Sequence, residues 1–362
     1  MFAGIYKRKR TLVTGHTGFK GSWLRLWLER LGADVTGYSL APKTDPNHSD
    51  LLALASPSTI GDIRDLEELL AHFDRHKPEI VFHLAAQASV LYSYDNPLET
   101  FSTNVLGTAN VLEACRRTPQ VRAVVVITTD KCYENREWIW GYRENDALGG
   151  HDPYSASKAC AELVSASYGR LFGGRGEPRK PGSILVATAR GGNVVGGGDW
   201  TADRLIPDAM RAAGRGETVR VRNPTSSRPW QHVLDLSAGY LLLGQGLLEG
   251  RGELAEPWNF GPSTESNLTV SALLAKIQDV WPTLRTEVAP QEGAPHEARS
   301  LMVDSTKARC VLKWEPVWDI DDTLKRTADW YRAWFKDREV LSARQIDEYT
   351  AQAVKQSAVW AR

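Results

Sequence analysis

The sequence predicts an α/β protein with a doubly wound parallel sheet and a smaller mixed α/β unit. Three observations carry this. Short, nearly continuous apolar runs such as Thr11-Leu-Val-Thr14, Glu79-Ile-Val-Phe-His-Leu84 and Arg122-Ala-Val-Val-Val-Ile-Thr128 alternate with helical patterns. Strands of that kind are buried on both faces, as in a parallel sheet covered by helices. A glycine-rich turn joins the first strand to the first helix. Beyond about residue 190 the regular alternation gives way to short strands with Gly/Pro punctuation.

The elements follow in order. After the first strand, Phe19 to Leu31 reads as a helix with Trp23, Leu24, Trp27, Leu28 and Leu31 on one face. Asp34 to Leu40 is the second strand and Thr59-Ile60-Gly61-Asp62 a short third one, followed by a helix from Arg64 to about His76. After the strand at Glu79 to Leu84, a long helix runs from Pro97 to about Arg117. The strand ending at Thr128 precedes a helix opened by Pro153 and running to about Phe172, and Ser183 to Ala189 is the next strand. Gly173 to Gly182 is Gly/Arg/Pro-rich and reads as a loop. Later helices include Val270–Trp281 and Asp321–Phe335. A Rossmann-type sheet domain is expected over 1–189 plus about 229–257, and a smaller substrate-binding domain over about 190–228 plus 258–362.

Two domains suit 362 residues. With 44 basic and 44 acidic residues the net charge is zero, so the chain has no electrostatic footprint for nucleic acid or an anionic membrane. The run Lys7-Arg8-Lys9-Arg10 reads as a solvated lead-in to the first strand. No run approaches the ~20 apolar residues that span a bilayer, and no apolar segment follows the basic N-terminus, so cytoplasmic location is expected. The four cysteines have neither zinc-site nor disulfide-framework spacing, and no His/Cys/carboxylate cluster has metal spacing. The thirteen tryptophans are expected mostly in cores.

The turn is Gly15-His16-Thr17-Gly18-Phe19-Lys20-Gly21. Its glycines permit a tight turn and close approach of backbone to a pyrophosphate, while the helix N-terminus offers free N–H groups. The second strand ends Tyr38-Ser39-Leu40, without the acid that usually holds the ribose of NAD, and Lys43 follows closely. NAD and NADP both stay open on that criterion. Asp62 is a candidate adenine contact; the competing reading is an N-cap for the helix at Arg64.

Asp152-Pro153-Tyr154-Ser155-Ala156-Ser157-Lys158 starts a helix, with Asp152 as N-cap and Pro153 at the first position. Tyr154 and Lys158 then share a face. A phenol with a pKa of ~10 is a poor base at neutral pH. A neighbouring ammonium and a cationic nicotinamide stabilise the phenolate, so the pair can move a hydroxyl proton while hydride moves to a cofactor.

Taken together, Thr14–Gly21, Leu84-Ala85-Ala86-Gln87, Asn104-Val-Leu-Gly107-Thr108, Tyr154-Ser-Ala-Ser-Lys158 and Arg228-Pro-Trp-Gln-His-Val-Leu-Asp235 resemble the extended short-chain dehydrogenase/reductase superfamily over most of residues 11–240. The resemblance implies an NAD site that includes the turn residues, Asp62, Ile63, Leu84 to Gln87, Asn104, Thr128, Tyr154 and Lys158. It also implies a homodimer or dimer of dimers, with the helices after Pro97 and Pro153 pairing between subunits.

Thr128-Thr129-Asp130-Lys131-Cys132-Tyr133-Glu134-Asn135 lies where the fifth strand ends, at the side of a doubly wound sheet that takes ligand. Thr-Asp at this point resembles the nucleotide-sugar 4,6-dehydratases; followed by Lys, it resembles the branch acting on CDP-glucose in deoxysugar biosynthesis. Other 4,6-dehydratases, for dTDP-glucose or GDP-mannose, are the nearest alternative, and a C4 epimerase is the next. The implied roles are Tyr154 as base at O4, Thr129 on O4, Lys158 tuning Tyr154, Asp130 as acid at O6 and Lys131 near C5. Asn193, Arg204 and Arg228 are implied contacts of the substrate phosphates. His232 and Asp235 read as structural hydrogen-bonding groups and His83 as a satisfied core histidine.

Overall fold

The computed structural model describes residues 1–173, 183–289 and 300–362. The loop expected at Gly173 to Gly182 lies outside them from residue 174 on. The strands of the main sheet are β1 (Arg10–Thr14), β2 (Asp34–Ser39), β3 (Ser58–Ile60), β4 (Ile80–His83), β5 (Ala123–Ile127) and β6 (Leu185–Gly191). Asn193–Val195 (β7), Thr218–Val221 (β8) and Ser227–His232 (β9) lie outside it, whereas β10 (Pro257–Phe260) returns to it. The order is β10-β6-β5-β4-β1-β2-β3, and every pairing in this sheet is parallel. Apolar strands with helices on both faces give this arrangement directly: all five residues of β5 are buried.

The helices are α1 (Phe19–Arg30), α2 (His48–Leu52), α3 (Leu66–His76), α4 (Val90–Asp95), α5 (Pro97–Phe101), α6 (Gly107–Arg117) and α7 (Pro153–Leu171). Then come α8 (Leu205–Arg215), α9 (Val233–Leu248), α10 (Val270–Val280), α11 (Ile320–Asp337) and α12 (Ser342–Lys355). Two small sheets complete the second unit: β9 between β7 and β11 (Asn267–Thr269), and β8 beside β12 (Arg285–Val288). Among the described residues no helix is long and apolar enough to cross a membrane.

Four expectations need correction. The helix expected over Pro97 to Arg117 is divided by a π-helical turn at Ser102–Leu106. The helix expected at Arg64 begins at Leu66, capped by Asp65 rather than Asp62. The boundary expected at 257 falls inside the sheet's last strand, since all of Pro257–Phe260 pairs with β6. Finally, the segment from α12 onward packs on the sheet unit: Trp27 of α1 meets Tyr349 at 5.6 Å and Trp360 at 5.6 Å, and Trp360 stacks on Phe2 at 5.2 Å. Large aromatic faces at Phe2 and Trp27 need cover, and the last helix supplies it.

Candidate active site

The site lies at the C-terminal ends of β1, β4, β5 and β6. Gly15 has φ +72°, and a Cβ there would lie 2.6 Å from the backbone nitrogen of Ala85. A Cβ on Gly21 would lie 2.1 Å from the carbonyl oxygen of Gly15. Both positions therefore admit glycine only. Gly18 caps α1 without a side-chain hydrogen bond, so the helix's first N–H groups stay available to an anion. A cradle of bare backbone at a helix N-terminus fits the pyrophosphate of a dinucleotide.

Not every turn residue presents its side chain to that cradle. His16 is buried, with Nε2 2.6 Å from Ser58 Oγ, and burial pushes its pKa down to about 4. Its ring fills the space against Gly37, where a Cβ would come within 2.3 Å of it. Thr17 spans to β2, 2.8 Å from Ser39 Oγ and 2.9 Å from the Leu40 carbonyl. Asp62 accepts hydrogen bonds from Arg64 at its backbone N (2.9 Å) and Nε (2.9 Å). Ile63 is buried in the core, against Gly107.

Beneath the turn runs a string of hydrogen bonds. The Ala85 N–H donates to Thr14 Oγ1 (3.3 Å), which sits 2.7 Å from His83 Nδ1; His83 Nε2 is 3.1 Å from Thr108 Oγ1, which donates to the Asn104 carbonyl (2.6 Å). Thr108 has one proton and gives it to Asn104, so it accepts from Nε2–H; Nδ1 then accepts from Thr14. Burial holds the His83 pKa near 3, which keeps the ring neutral. The Asn104 side chain sits on the π-helical turn. It accepts from the Gln87 N–H (2.8 Å) and donates to the Gln87 carbonyl (3.0 Å) and Ser157 Oγ (2.8 Å). Ser157 in turn donates to the Tyr154 carbonyl (2.7 Å). Turn, π-bulge and tyrosine are thereby one connected network.

Asp152 caps α7 by accepting from the Ser155 N–H (2.8 Å), and Pro153 occupies the first turn. Tyr154, Lys158 and Glu162 follow at successive turns, all buried. Burial pushes the Tyr154 pKa up to about 12, opposed by a hydrogen bond with Thr129. Burial pushes Lys158 down to about 8, with Glu162 working the other way; its Nζ donates to the Ile127 carbonyl at 3.3 Å.

Thr129 caps a short 3-10 turn over Asp130–Cys132, and its hydroxyl donates to Asp130 Oδ1 at 2.9 Å. Asp130 is 2% exposed, and burial raises its pKa against the pull of Lys131, the Thr129 hydroxyl and Arg228. Gly192 makes room for it: a Cβ there would approach Asp130 Oδ2 to 3.0 Å. A buried carboxyl biased toward its protonated form suits a general acid. Lys131, half-buried, is adjacent.

The remaining sequence candidates fall into two groups. Arg228 feels Asp130 and donates to the Ser227 carbonyl (2.8 Å), while Arg204 pairs with Asp199 at 3.3 Å and acts electrostatically on Tyr154 and Lys20. Asn193 stands on β7, half-buried, next to the Asp130 side of the cleft through Gly192. His232 and Asp235 do not face the cleft. His232 caps α9 and accepts from the Leu234 N–H (3.2 Å), and Asp235 accepts from the Val317 N–H (2.6 Å) and Tyr349 hydroxyl (2.8 Å).

Sequence reasoning missed where Lys20 points. Burial, with Lys158 and Arg204 acting on it electrostatically, pushes its pKa down to about 7, so it lies within electrostatic range of the catalytic cluster. A lysine flanked by turn glycines was the available signal. It also missed Glu162 and its partner Arg190, whose pairing depends on tertiary structure.

With this geometry in place, comparison with known proteins is informative. A family model, GDP-mannose 4,6 dehydratase, matches residues 12–327. The chain belongs to that family. Among its relatives, CDP-glucose 4,6-dehydratase of Salmonella typhimurium is 46% identical over 349 residues, covering 95% of this chain and 97% of that protein. The dTDP-glucose 4,6-dehydratase of Streptomyces antibioticus is 30% identical over 290 residues, covering 76% and 77%. Of solved structures, dTDP-glucose 4,6-dehydratase from Streptomyces venezuelae, with NAD and TYD bound, superposes with TM-score 0.74 at 26% identity, over 91% of this chain and 99% of that one. MoeE5 in complex with UDP-glucose and NAD superposes with TM-score 0.74 at 26% identity, over 89% and 98%. In this chain the start of α7, with Tyr154, meets the end of β5, with Thr129 and Asp130.

Proposed function

We propose that this chain converts CDP-D-glucose to CDP-4-keto-6-deoxy-D-glucose and water. The observation that carries the reading is the buried Asp130 carboxyl beside Thr129 and Tyr154, in a chain 46% identical to a CDP-glucose 4,6-dehydratase. An oxidoreductase pair alone would suffice for epimerisation; eliminating water also asks for an acid at the leaving oxygen.

NAD, held by the glycine turn and by Leu84 to Gln87, which Asn104 braces from behind, would accept hydride from C4 and return it to C6. Tyr154 takes the O4 proton, while Thr129 hydrogen-bonds O4. Lys158 supports the phenolate and holds the nicotinamide ribose. Oxidation at C4 acidifies the C5 proton, and Lys131, uncharged at that step, receives it. Asp130 donates its proton to the departing C6 oxygen. Asn193, Arg204 and Arg228 hold the diphosphate. The absence of a carboxylate at Tyr38-Ser39-Leu40 leaves ribose recognition to Thr17, Ser39 and their neighbours.

The working unit is a cytoplasmic homodimer. Leu98 (84% exposed), Leu106 (62%) and Leu163 (61%) stand out on the π-interrupted helix and α7, the pair of helices that would face a second copy.

The test is incubation with CDP-glucose, dTDP-glucose, UDP-glucose and GDP-mannose separately, followed by mass spectrometry. Loss of one water from CDP-glucose alone, without net NADH accumulation, is the expected result. Dehydration of a different sugar nucleotide would discard the substrate assignment, and unchanged mass with inverted C4 would replace the dehydratase reading with epimerisation.

A further inference from the structure

Behind Lys158 lies a buried ion pair that the reaction scheme does not use. Glu162 is one turn beyond Lys158 on the same face of α7, and its carboxylate is saturated. Thr128 donates to Oε1, and Thr188 (2.7 Å) and Arg190 Nη2 (2.8 Å) donate to Oε2. Both partners of the pair are almost inaccessible, with side chains 2% exposed on each side. Arg190 is fixed from its other end. Nη1 donates to Tyr133 Oη (2.7 Å) and to the Glu144 carbonyl (3.1 Å), and the guanidinium lies over the Tyr133 ring at 4.9 Å. Tyr133 passes its own proton to Asn259 Oδ1 at 2.7 Å.

Burying two charges is costly, and a pair of apolar residues of like volume would serve packing as well or better. Two features give the pair another use. Thr128 immediately precedes Thr129 and Asp130, so the Glu162 carboxylate pins the strand end that carries them. Glu162 is also the anion whose charge raises the pKa of the Lys158 ammonium against burial. The other groups facing Lys158 are Lys20 from α1, the neutral His83 from β4, the Cys132 thiol beyond β5 and Tyr154 on its own helix. None of them is an anion at neutral pH. Burial raises the Cys132 thiol well above its ordinary range.

We propose that Glu162, held ionised by Arg190, is a positioning residue that keeps Lys158 cationic and thereby sets the pH at which Tyr154 can accept the substrate proton. Glu162 is the anion that acts on Lys158, opposing the effect of burial. Arg190's work is on Glu162, whose pKa it holds low against burial.

This rests on Tyr154 being the base, so the experiment separates the two ideas. The kcat of dehydration is measured from pH 6 to 9 for the wild-type holoenzyme, Glu162→Gln, Glu162→Asp and Tyr154→Phe. Gln can accept from Arg190 and Thr188 while its NH2 donates to a rotated Thr128 hydroxyl, so it removes charge with little change of shape. The expected result is a basic limb displaced downward by about one pH unit in Glu162→Gln. That is about tenfold slower turnover at pH 9, shrinking to nearly wild-type turnover at pH 6 and restored by Glu162→Asp. Because Glu162→Gln strands a buried guanidinium, Glu162→Gln/Arg190→Met is tested alongside it; this neutral pair keeps the fold without the anion and is expected to show the same displacement. A limb that stays in place in either folded variant, with loss equal at every pH, would reduce Glu162 to a packing residue and overturn the proposal. Activity in Tyr154→Phe would instead remove the reading on which it rests.

Discussion

Asp235 offers a quantitative test of how the second unit is fastened. It lies on α9 at 0% exposure, accepting from the Val317 and Trp318 N–H groups and the Tyr349 hydroxyl through Oδ1. Oδ2 is enclosed and lacks a partner. Burial pushes the pKa up from 3.8 to about 7, against these three hydrogen bonds. A carboxyl whose pKa is higher folded than unfolded favours the folded state most below its unfolded pKa. That contribution is lost as pH rises through the folded one. The window is therefore pH 4 to 7. A displacement of about three pH units at 1.36 kcal/mol each sets an upper limit of roughly 4 kcal/mol. Asp235→Asn keeps the Oδ1 acceptor, cannot ionise and places an unpaired NH2 where Oδ2 was, costing about 1–3 kcal/mol at every pH. The wild type's advantage at low pH should thus shrink by up to roughly 1.6 kcal/mol by pH 5 and roughly 4 kcal/mol by pH 7, so that the variant becomes the more stable one within the series. Urea denaturation of both proteins at pH 5, 6, 7 and 8 reads this out. Parallel stability curves across the series would show that Asp235 does not titrate in the folded protein and would refute the reasoning.

Three further outcomes follow from the site. Asp130→Asn preserves the acceptor for Thr129 but carries no acidic proton, so dehydration should fall about 10²–10⁴-fold while C4 oxidation continues. Absorbance at 340 nm would then rise with CDP-glucose and persist, and full turnover would remove Asp130 from the mechanism. Gly21→Ala drives a Cβ to 2.1 Å from the Gly15 carbonyl, whereas Gly18→Ala meets the same oxygen at 3.3 Å. The first should weaken NAD binding by calorimetry at least tenfold and the second much less; equal effects would mean that the turn yields. Lys131→Met should let the C4-keto intermediate form but slow exchange of the C5 hydrogen with deuterated water by about 10²-fold or more; unchanged exchange would place the C5 base elsewhere.

Much of the sheet domain is readable from sequence because its strands are apolar throughout and its caps are local. Asp152 and Pro153 announce α7 within a few residues of its start, and Tyr154 and Lys158 share a face by helical arithmetic alone. What escapes has identifiable reasons. Helix α9 is buried along nearly its whole length, so its polar face, and with it the 3.6-residue period, is missing. Helix α4, Val90–Asp95, is too short to show periodicity, although its Ser93 hydroxyl holds the Tyr154 N–H at 3.2 Å. The π-helical turn at Ser102–Leu106 inserts no special residue; it is selected by the partners Asn104 finds on Gln87 and Ser157. Asp62 and Asp65 are both sound N-cap residues, and only the chain path decides for Asp65. The pairing of Glu162 with Arg190 joins a helix to a strand beyond the range of any spacing rule.

The aromatic contact between residues 2 and 360 has a consequence for how the molecule is made. Trp27 on α1 is covered by Phe2 from one end of the sequence and by Tyr349 and Trp360 from the other. During synthesis the glycine turn and α1 emerge early, yet this tryptophan-bearing face stays open until the last helix has left the ribosome. A segment made before most of this sequence is therefore finished only after the residues near 349 and 360 have been made. Over that interval its exposed indole is a surface on which a chaperone can act.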